Sequence, residues 1–391
     1  MTGLLAPLMV WAYSGTLALL PPGLRSVLLV VALPVGLHLL CALPLAWLAR
    51  RSASPLTWAG VVAAADLLLA SPLLGVYADP STPSVFLLAP MWLAGPATGT
   101  LLVLLAGGLL GRLTALLPLA VLALACLWSP ASPGAPITLA AGQGGNTGIR
   151  AINEVPQGQA EAEEGQWKLR LQGVQADLIV LPEDASAVRH TGPAFRRPFA
   201  PNVLYGAVEY DALAAYNSVF AGGERLYRKR RLVPTTETPW LTPGRQALAP
   251  VDVAGMRVGI LTCVEALFAL DAAQLARQGA QVLVVPASNK HPKTAQLQLA
   301  AARAAAVSAG LPLVLASEAG QSAIVTKEGR TVARGNWAQA QVVSGEVLQG
   351  HPSWYSWLAP FWLILPWGFV VKLAAGWALR QIHFNHISTL A

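Results

Sequence analysis

The chain has 391 residues, of which 54% are hydrophobic and 12% are charged, and its formal net charge is +7. This length suits two or three domains, and the hydrophobic fraction is high for a soluble enzyme, which indicates membrane-spanning segments. The three cysteines exclude a disulfide framework. The net charge comes partly from arginines that flank apolar runs, and the polar block is nearly balanced, so no basic face for nucleic acid is indicated.

Five apolar runs precede the polar block and a sixth follows it; they cover 4–20, 27–48, 56–77, 85–110, 113–127 and 354–379. Because about 20 apolar residues cross a bilayer, we predict a bundle of about five transmembrane spans over 1–128 and a C-terminal span over 354–379. The alternative for the first run is a cleaved signal peptide. That run has no basic beginning and is followed by PPGLR, not by a small-residue cleavage site.

The arginines predict the orientation of the spans. With the N-terminus in the cytoplasm, Arg50, Arg51 and Arg112 fall in cytoplasmic loops and only Arg25 faces outward. This distribution follows the positive-inside rule. We therefore predict a multi-pass protein of a bacterial inner membrane, with the polar block in the periplasm.

A linker rich in Pro, Ser and Gly over 129–136 leads into a polar domain over 137–350. In this domain, buried β-type runs alternate with helical runs. The predicted strands are 137–142, 176–183, 202–210, 214–223, 255–263 and 280–288, and the predicted helices are 158–174, 271–281 and 295–310. This alternation predicts an α/β layered domain.

Three polar residues, Glu183, Lys229 and Cys263, lie at the ends of predicted strands. Strand ends in α/β sheets meet at one rim, where functional sites form. A thiol has an ordinary pKa of about 8.5, so a nucleophilic cysteine needs a base and a positive neighbour. Glu183 is a candidate for the base, and Lys229 for stabilising the thiolate and an oxyanion. A helix that starts just after Cys263 would add a favourable dipole.

Each of these residues also has a structural interpretation. Cys263 taken alone is most simply a buried hydrophobe. Glu183 is a solvated charge at a strand end, and Lys229 is one of four adjacent bases in a surface patch. A cysteine-protease dyad needs a histidine, but neither His190 nor His291 lies in a protease-like motif.

Three motifs decide between these interpretations: VLPEDA, then YNSVF with YRKRRLVPTTE, then GILTCVEALF. They resemble, in this order, the active-site motifs of the nitrilase (carbon–nitrogen hydrolase) superfamily. The Y-x-K-x-x-L-V-P segment, with predicted spans on both sides of the domain, is similar to the apolipoprotein N-acyltransferase branch. The short N-terminal bundle and the overall length are most similar to conjugal transfer proteins of the TraB type.

This resemblance implies an αββα sandwich, flanked here by transmembrane helices, and a Glu–Lys–Cys triad. Glu183 would be the general base, Lys229 the oxyanion stabiliser and Cys263 the nucleophile. The resemblance further implies that Glu237 positions the substrate and the lysine, and that Glu265 positions the substrate. We predict no metal and no cofactor.

The sequence therefore predicts an integral-membrane thiol enzyme that takes an acyl group onto Cys263 as a thioester and passes it to an amine. The predicted donor is a membrane lipid or a lipid-borne acyl group, and the predicted acceptor is a membrane-tethered protein. The conjugation machinery is a candidate partner, and nucleic acid is not. Two alternatives stay open: an amide hydrolase with water as the acceptor, and a non-catalytic component of a conjugation channel.

Overall fold

The computed structural model describes residues 134–147, 157–186, 199–211, 214–233 and 237–362. The strands are β1 (Pro136–Gln143), β2 (Leu178–Val180), β3 (Val203–Tyr210), β4 (Ala215–Ala221), β5 (Glu224–Arg228), β6 (Val251–Val253), β7 (Met256–Ile260), β8 (Val282–Ala287), β9 (Leu313–Ser317), β10 (Ala323–Val325), β11 (Thr331–Arg334) and β12 (Gln341–Leu348). The helices are α1 (Gln157–Arg170), α2 (Ala269–Arg277), α3 (Pro292–Ala309) and α4 (Trp354–Trp362), and a 3₁₀ helix covers Cys263–Leu267. The predicted N-terminal spans, and the predicted C-terminal span beyond residue 362, lie outside the described residues.

The described strands form two six-stranded sheets, in the orders β12-β1-β2-β3-β4-β5 and β11-β10-β9-β8-β7-β6. In the first sheet β2 is parallel to β1 and β3, and β3, β4 and β5 form an antiparallel meander, so β2 and β5 run in the same direction. In the second sheet β7, β8 and β9 are parallel to one another. The carboxyl ends of β2 and β5 therefore lie at one rim of the first sheet, and those of β7 and β8 at one rim of the second.

The side chains of β1 and β2 alternate between the two faces of the first sheet. Leu139 and Leu178 belong to the main core, in which β1 and β2 face β8 and β9 of the second sheet. Ala140 and Ile179 belong to a second core on the opposite face. Because both faces are covered, these strands are continuous apolar runs in the sequence and do not alternate between polar and apolar residues.

Helices cover the outer face of each sheet. Trp167 of α1 is buried in the outer core of the first sheet. Leu275 of α2 and Leu299 of α3 pack in the main core with the strands of the second sheet. The layers are thus helix, sheet, sheet and helix, which confirms the predicted αββα sandwich.

The last described helix, α4, begins at Trp354, where the predicted C-terminal span begins. Its buried Tyr355 and Ala359 pack with Ala273 of α2, whereas Trp354 and Trp357 are exposed. Within the described ranges, the helices are all too short or too polar to cross a bilayer.

The segment after Cys263 differs from the prediction. The five-residue 3₁₀ helix that starts at Cys263 ends at Leu267, and α2 begins only at Ala269. A 3₁₀ helix of this length aligns few peptide dipoles. The helix dipole expected to act on the thiol is therefore weak. The charged side chains around the thiol have the larger effect on its pKa.

Candidate active site

Three loops carry the predicted triad residues at the carboxyl ends of strands. Glu183 lies three residues after the end of β2, Lys229 directly after β5, and Cys263 three residues after β7. The two sheets face each other, so the rims that carry these loops meet. Glu183 contacts Lys229 directly, and the charges of Glu183 and Cys263 both act on the pKa of the lysine. The structure therefore brings the three side chains together at one site.

Lys229 is completely buried, and its ammonium lies between two carboxylates. Its Nζ donates to Oε1 of Glu183 and to Oε1 of Glu237, both at 2.7 Å. Burial opposes the charge of Lys229, but attraction to Glu183, to the thiolate form of Cys263 and to Glu237 outweighs this effect, so the pKa of the lysine lies well above its ordinary value. Lys229 is thus a fixed cation inside the site.

Glu183 is a buried carboxylate that faces this cation. Its Oε1 also accepts a hydrogen bond from Nδ2 of Asn217 at 2.5 Å. Burial raises the pKa of Glu183 above its ordinary value, and the charge of Lys229 opposes the rise. A carboxylate with a raised pKa is a stronger base, which suits proton transfer from a thiol.

The loop that carries Glu183 lies directly against β3, and a glycine makes this approach possible. A Cβ added at Gly206 would lie 2.3 Å from the carbonyl oxygen of Glu183 and 2.4 Å from its Cα. The amide of Gly206 also donates to the carbonyl of Pro182 at 2.9 Å. Any side chain at position 206 would displace the carboxylate from the lysine.

Asn217 of β4 is a site residue that the sequence analysis did not single out. Its side chain donates to Glu183, and its backbone carbonyl accepts from the amide of Lys229 at 2.7 Å. The available signal was its place in the YNSVF motif, and in the structure Asn217 is only 5% exposed. A buried amide group requires hydrogen-bond partners, and here it fixes the base and the cation together.

Cys263 begins the 3₁₀ helix with a φ of 51°, in the left-handed region that non-glycine residues seldom adopt. Such strained positions cluster at functional sites. The residue is partly exposed, its thiol forms no disulfide, and its carbonyl accepts from Nε2 of Gln298 at 2.7 Å. Burial raises the pKa of the thiol well above its ordinary value, the charge of Glu183 adds to the rise, and Lys229 opposes it. The thiol is therefore protonated at rest and needs a base at the moment of attack.

We expect iodoacetamide to label Cys263 slowly at neutral pH, along a rate curve that lies at higher pH than that of an ordinary cysteine. Glu183→Gln should move this curve to lower pH because the carboxylate raises the pKa of the thiol, and Lys229→Met should move it to higher pH because the ammonium lowers that pKa. Intact mass spectrometry across a pH series measures the rate, in a background that carries Cys41→Ala and Cys126→Ala. Shifts of the two curves in the same direction would contradict this arrangement of charges.

Glu265 is a buried carboxylate that joins the loop after β5 to the turn before the 3₁₀ helix. The hydroxyl of Tyr227 donates to both of its oxygens at 3.0 Å. Three backbone amides also donate to it, at 2.8 Å from Thr262, 2.8 Å from Arg230 and 3.0 Å from Arg231. Both oxygens are occupied by donors of the protein itself. This geometry supports a role in positioning the two loops, and the substrate-positioning role that the resemblance implies stays a prediction.

Glu237 reaches the site from the turn after the Lys229 loop. Its Oε1 accepts from Lys229, and its Oε2 accepts from the amide of Val233 at 2.7 Å. These contacts hold the lysine in place, as the resemblance implies, and the effect on substrate stays a prediction. Among the described residues, no three His, Cys, Asp or Glu side chains are grouped so that they could hold a metal ion.

The fold and the site define an αββα domain with a cysteine beside a buried Glu–Lys pair. Residues 201–351 match the carbon-nitrogen hydrolase family. This part of the chain is therefore similar to carbon-nitrogen hydrolase domains.

Two curated proteins and a solved structure are similar to this chain. The protein named "hydrolase in pqqF 5′ region" of Pseudomonas protegens is 28% identical over 150 residues, which cover 32% of this chain and 53% of that protein. Apolipoprotein N-acyltransferase of Mycolicibacterium smegmatis is 34% identical over 100 residues, which cover 25% of this chain and 17% of that protein. The chain thus spans about half of the first relative's length and a smaller part of the second. The crystal structure of a carbon-nitrogen hydrolase from Helicobacter pylori superposes with a TM-score of 0.44 and 16% identity, over 60% of this chain and 94% of that one.

Proposed function

We propose that the protein is a thiol acyltransferase in which Cys263 is the nucleophile, Glu183 the general base and Lys229 the stabiliser of the oxyanion. The observation that carries this proposal is the completely buried lysine, held at 2.7 Å from both Glu183 and Glu237. A fixed cation in a site with little water stabilises a developing negative charge far better than the same cation does in water. Strongly perturbed groups with specific charged partners are typical of catalytic sites.

In the first half-reaction the sulfur of Cys263 attacks the carbonyl carbon of the acyl donor while Glu183 takes the thiol proton. The new C–S bond converts the carbonyl oxygen into an oxyanion, which Lys229 stabilises. When the oxyanion collapses, the bond to the leaving group breaks and Glu183 returns the proton to that group. The acyl chain remains on Cys263 as a thioester.

In the second half-reaction an amine attacks the thioester carbon, and Glu183 accepts the proton that the amine loses. Lys229 stabilises the second oxyanion. The C–S bond then breaks, and the proton passes from Glu183 to the leaving sulfur. The products are an N-acylated acceptor and the free thiol of Cys263.

A membrane setting supports transfer to an amine. The apolar runs on both sides of the domain predict a multi-pass anchor, which a hydrolase of small soluble amides does not need. The similarity to an N-acyltransferase over 100 residues supports the same acceptor chemistry. We propose a lipid-borne acyl donor and a membrane-tethered protein acceptor. On the resemblance noted in the sequence, we also propose a TraB-like role in the maturation of conjugation or envelope proteins.

The second candidate is an amide hydrolase in which water attacks the thioester. The similarity to a protein named as a hydrolase, over 53% of that protein's length, favours it. The two functions share the first half-reaction and differ only in the acceptor.

Product analysis separates transfer from hydrolysis. The full-length protein in phospholipid vesicles would receive a labelled phospholipid and a lipopeptide with a free N-terminal amine. We expect the labelled acyl chain to appear on the peptide amine. With Cys263→Ser we expect neither labelled peptide nor labelled free acid. Labelled free acid as the only product, formed at the same rate with and without the peptide, would show that the protein is a hydrolase and not a transferase.

The arginine distribution predicts the location of the domain. Alkaline phosphatase folds to an active enzyme only outside the cytoplasm, so a fusion after Gly350 should be active and a fusion after Ala391 should be inactive. Activity measured in intact cells, with expression checked by immunoblot, distinguishes the two compartments. The reverse pattern would overturn the periplasmic location.

A further inference from the structure

A cavity of about 550 Å³ lies between the β4–β5 hairpin and the segment 242–246. Arginines line it from three positions, Arg225, Arg228 and Arg245, together with Tyr216 and Gln246. None of the three proposed catalytic side chains lines it. The cavity is thus a separate basic site within the catalytic domain, and its volume is in the range of small-ligand sites.

A buried carboxylate fixes two of these arginines. Oε1 of Glu209 accepts from Nη1 of Arg225 at 2.6 Å and from Nη2 of Arg228 at 2.7 Å. Burial alone would raise the pKa of Glu209, but hydrogen bonds from Arg228, Ser218 and Arg225 lower it below its ordinary value. The carboxylate is therefore ionised, and it holds two guanidinium groups that carry twice its charge.

The third arginine increases the positive charge of the cavity. Arg245 is exposed, and no described acidic side chain lies within salt-bridge distance of it. Asp211 lies 3.6 Å from Arg228. Among the described residues, two carboxylates form ion pairs with two of these three guanidinium groups, so at least one guanidinium group has no ion-pair partner. The guanidinium carbon of Arg228 also lies 3.7 Å from the centre of the Tyr216 ring, which keeps this group in place.

We propose that this cavity binds the phosphate group of a phosphate ester. Guanidinium groups match the geometry of phosphate oxygens with paired N–H donors. Groups that are already fixed lose little conformational entropy when the anion binds. The phosphate belongs either to a phospholipid headgroup or to a soluble phosphate ester. Trp240, which precedes the lining residue Thr242 and is 59% exposed, favours the headgroup, because tryptophan prefers the membrane interface.

The cavity wall also contacts the chain at the proposed catalytic lysine. The amide of Gly244 donates to the backbone carbonyl of Lys229 at 2.8 Å, and the side chain of Gln246 donates to the carbonyl of Arg228. A phosphate bound to Arg245 therefore holds the segment that supports the lysine loop. In a membrane setting, the headgroup would be anchored beside the active site.

A binding measurement tests this inference and does not require catalytic turnover. The full-length protein in a neutral detergent would be titrated calorimetrically with inorganic phosphate, with a short-chain phosphatidylglycerol and with a diacylglycerol of the same chain length. We expect saturable binding of at least one phosphate probe and none of the diacylglycerol. Arg245→Gln and Arg225→Gln should weaken binding about tenfold or more. Arg334→Gln, at an exposed arginine of β11 outside the cavity, should leave it unchanged.

The arms of the experiment identify the source of the phosphate. Tighter binding of phosphatidylglycerol than of inorganic phosphate supports a lipid headgroup, and equal binding supports a soluble ester. Arg245→Gln removes no ion pair of the described structure, so thermal melting should show an unchanged fold. If neither phosphate probe binds, or if this variant binds as tightly as the wild type, the cavity is not a phosphate site. Cys263→Ser should keep full binding, which separates this result from any failure of the catalytic proposal.

Discussion

Cys263→Ala should abolish acyl transfer, whereas Cys41→Ala and Cys126→Ala should leave the rate unchanged. Cys263 lies beside the Glu183–Lys229 pair, and without its sulfur no thioester forms. Intact mass spectrometry after incubation with an acyl donor should show one adduct, which the Cys263 variant lacks.

Two results would contradict the role of Cys263 as the nucleophile. Wild-type turnover by Cys263→Ala would remove the thiol from the mechanism. Full stability of that variant with no adduct on the wild type under any donor would favour the non-catalytic channel component instead.

Glu183→Gln and Lys229→Met should each reduce the rate strongly. Removing a positioned general base lowers a rate by about 10²- to 10⁴-fold, and removing one donor to an oxyanion lowers it by about 10²- to 10³-fold. Glutamine at 183 retains an oxygen that can accept the hydrogen bonds from Lys229 and Asn217. Steady-state rates, with circular dichroism and thermal melting to confirm the fold, give the measurement.

Matched controls come from exposed residues of the same types. Glu224→Gln at the start of β5 and Lys168→Met on α1 change the same charges far from the thiol and should keep the wild-type rate. If Glu183→Gln or Lys229→Met keeps more than about a tenth of the wild-type rate while folded, its assigned role is wrong. Because Lys229→Met leaves two buried carboxylates facing each other, some loss of stability is expected in that variant.

The local patterns of buried strands and helices predicted an α/β layered domain, and the resemblance to a known family implied its αββα order. The predicted strands at 137–142 and 280–288 agree closely with β1 and β8. The predicted strand 176–183 is shorter in the structure, Leu178–Val180, because the chain leaves the sheet as it approaches Pro182 and Glu183. The predicted N-terminal spans, and the predicted C-terminal span beyond residue 362, lie outside the described residues and remain predictions.

The site was only partly predictable, since its contacts depend on strand pairing. Strand-end positions and motifs identified Glu183, Lys229 and Cys263. The contact of Asn217 with Glu183 follows from the register of β4 between β3 and β5, and no local pattern encodes that register. The same holds for Glu265, whose donors include amides 34 and 35 residues away along the chain.

The carboxylate of Glu265 couples the mobility of two parts of the site. It accepts the amide hydrogens of Arg230 and Arg231 on one loop and of Thr262 on the other. Neither loop can swing outward unless this buried anion gives up some of these donors, so the two loops share a single opening equilibrium. Native-state hydrogen exchange should show these three amides protected to the same free energy. Heat inactivation of the proposed acyl transfer would then follow that local opening, at temperatures where the rest of the sandwich is still folded.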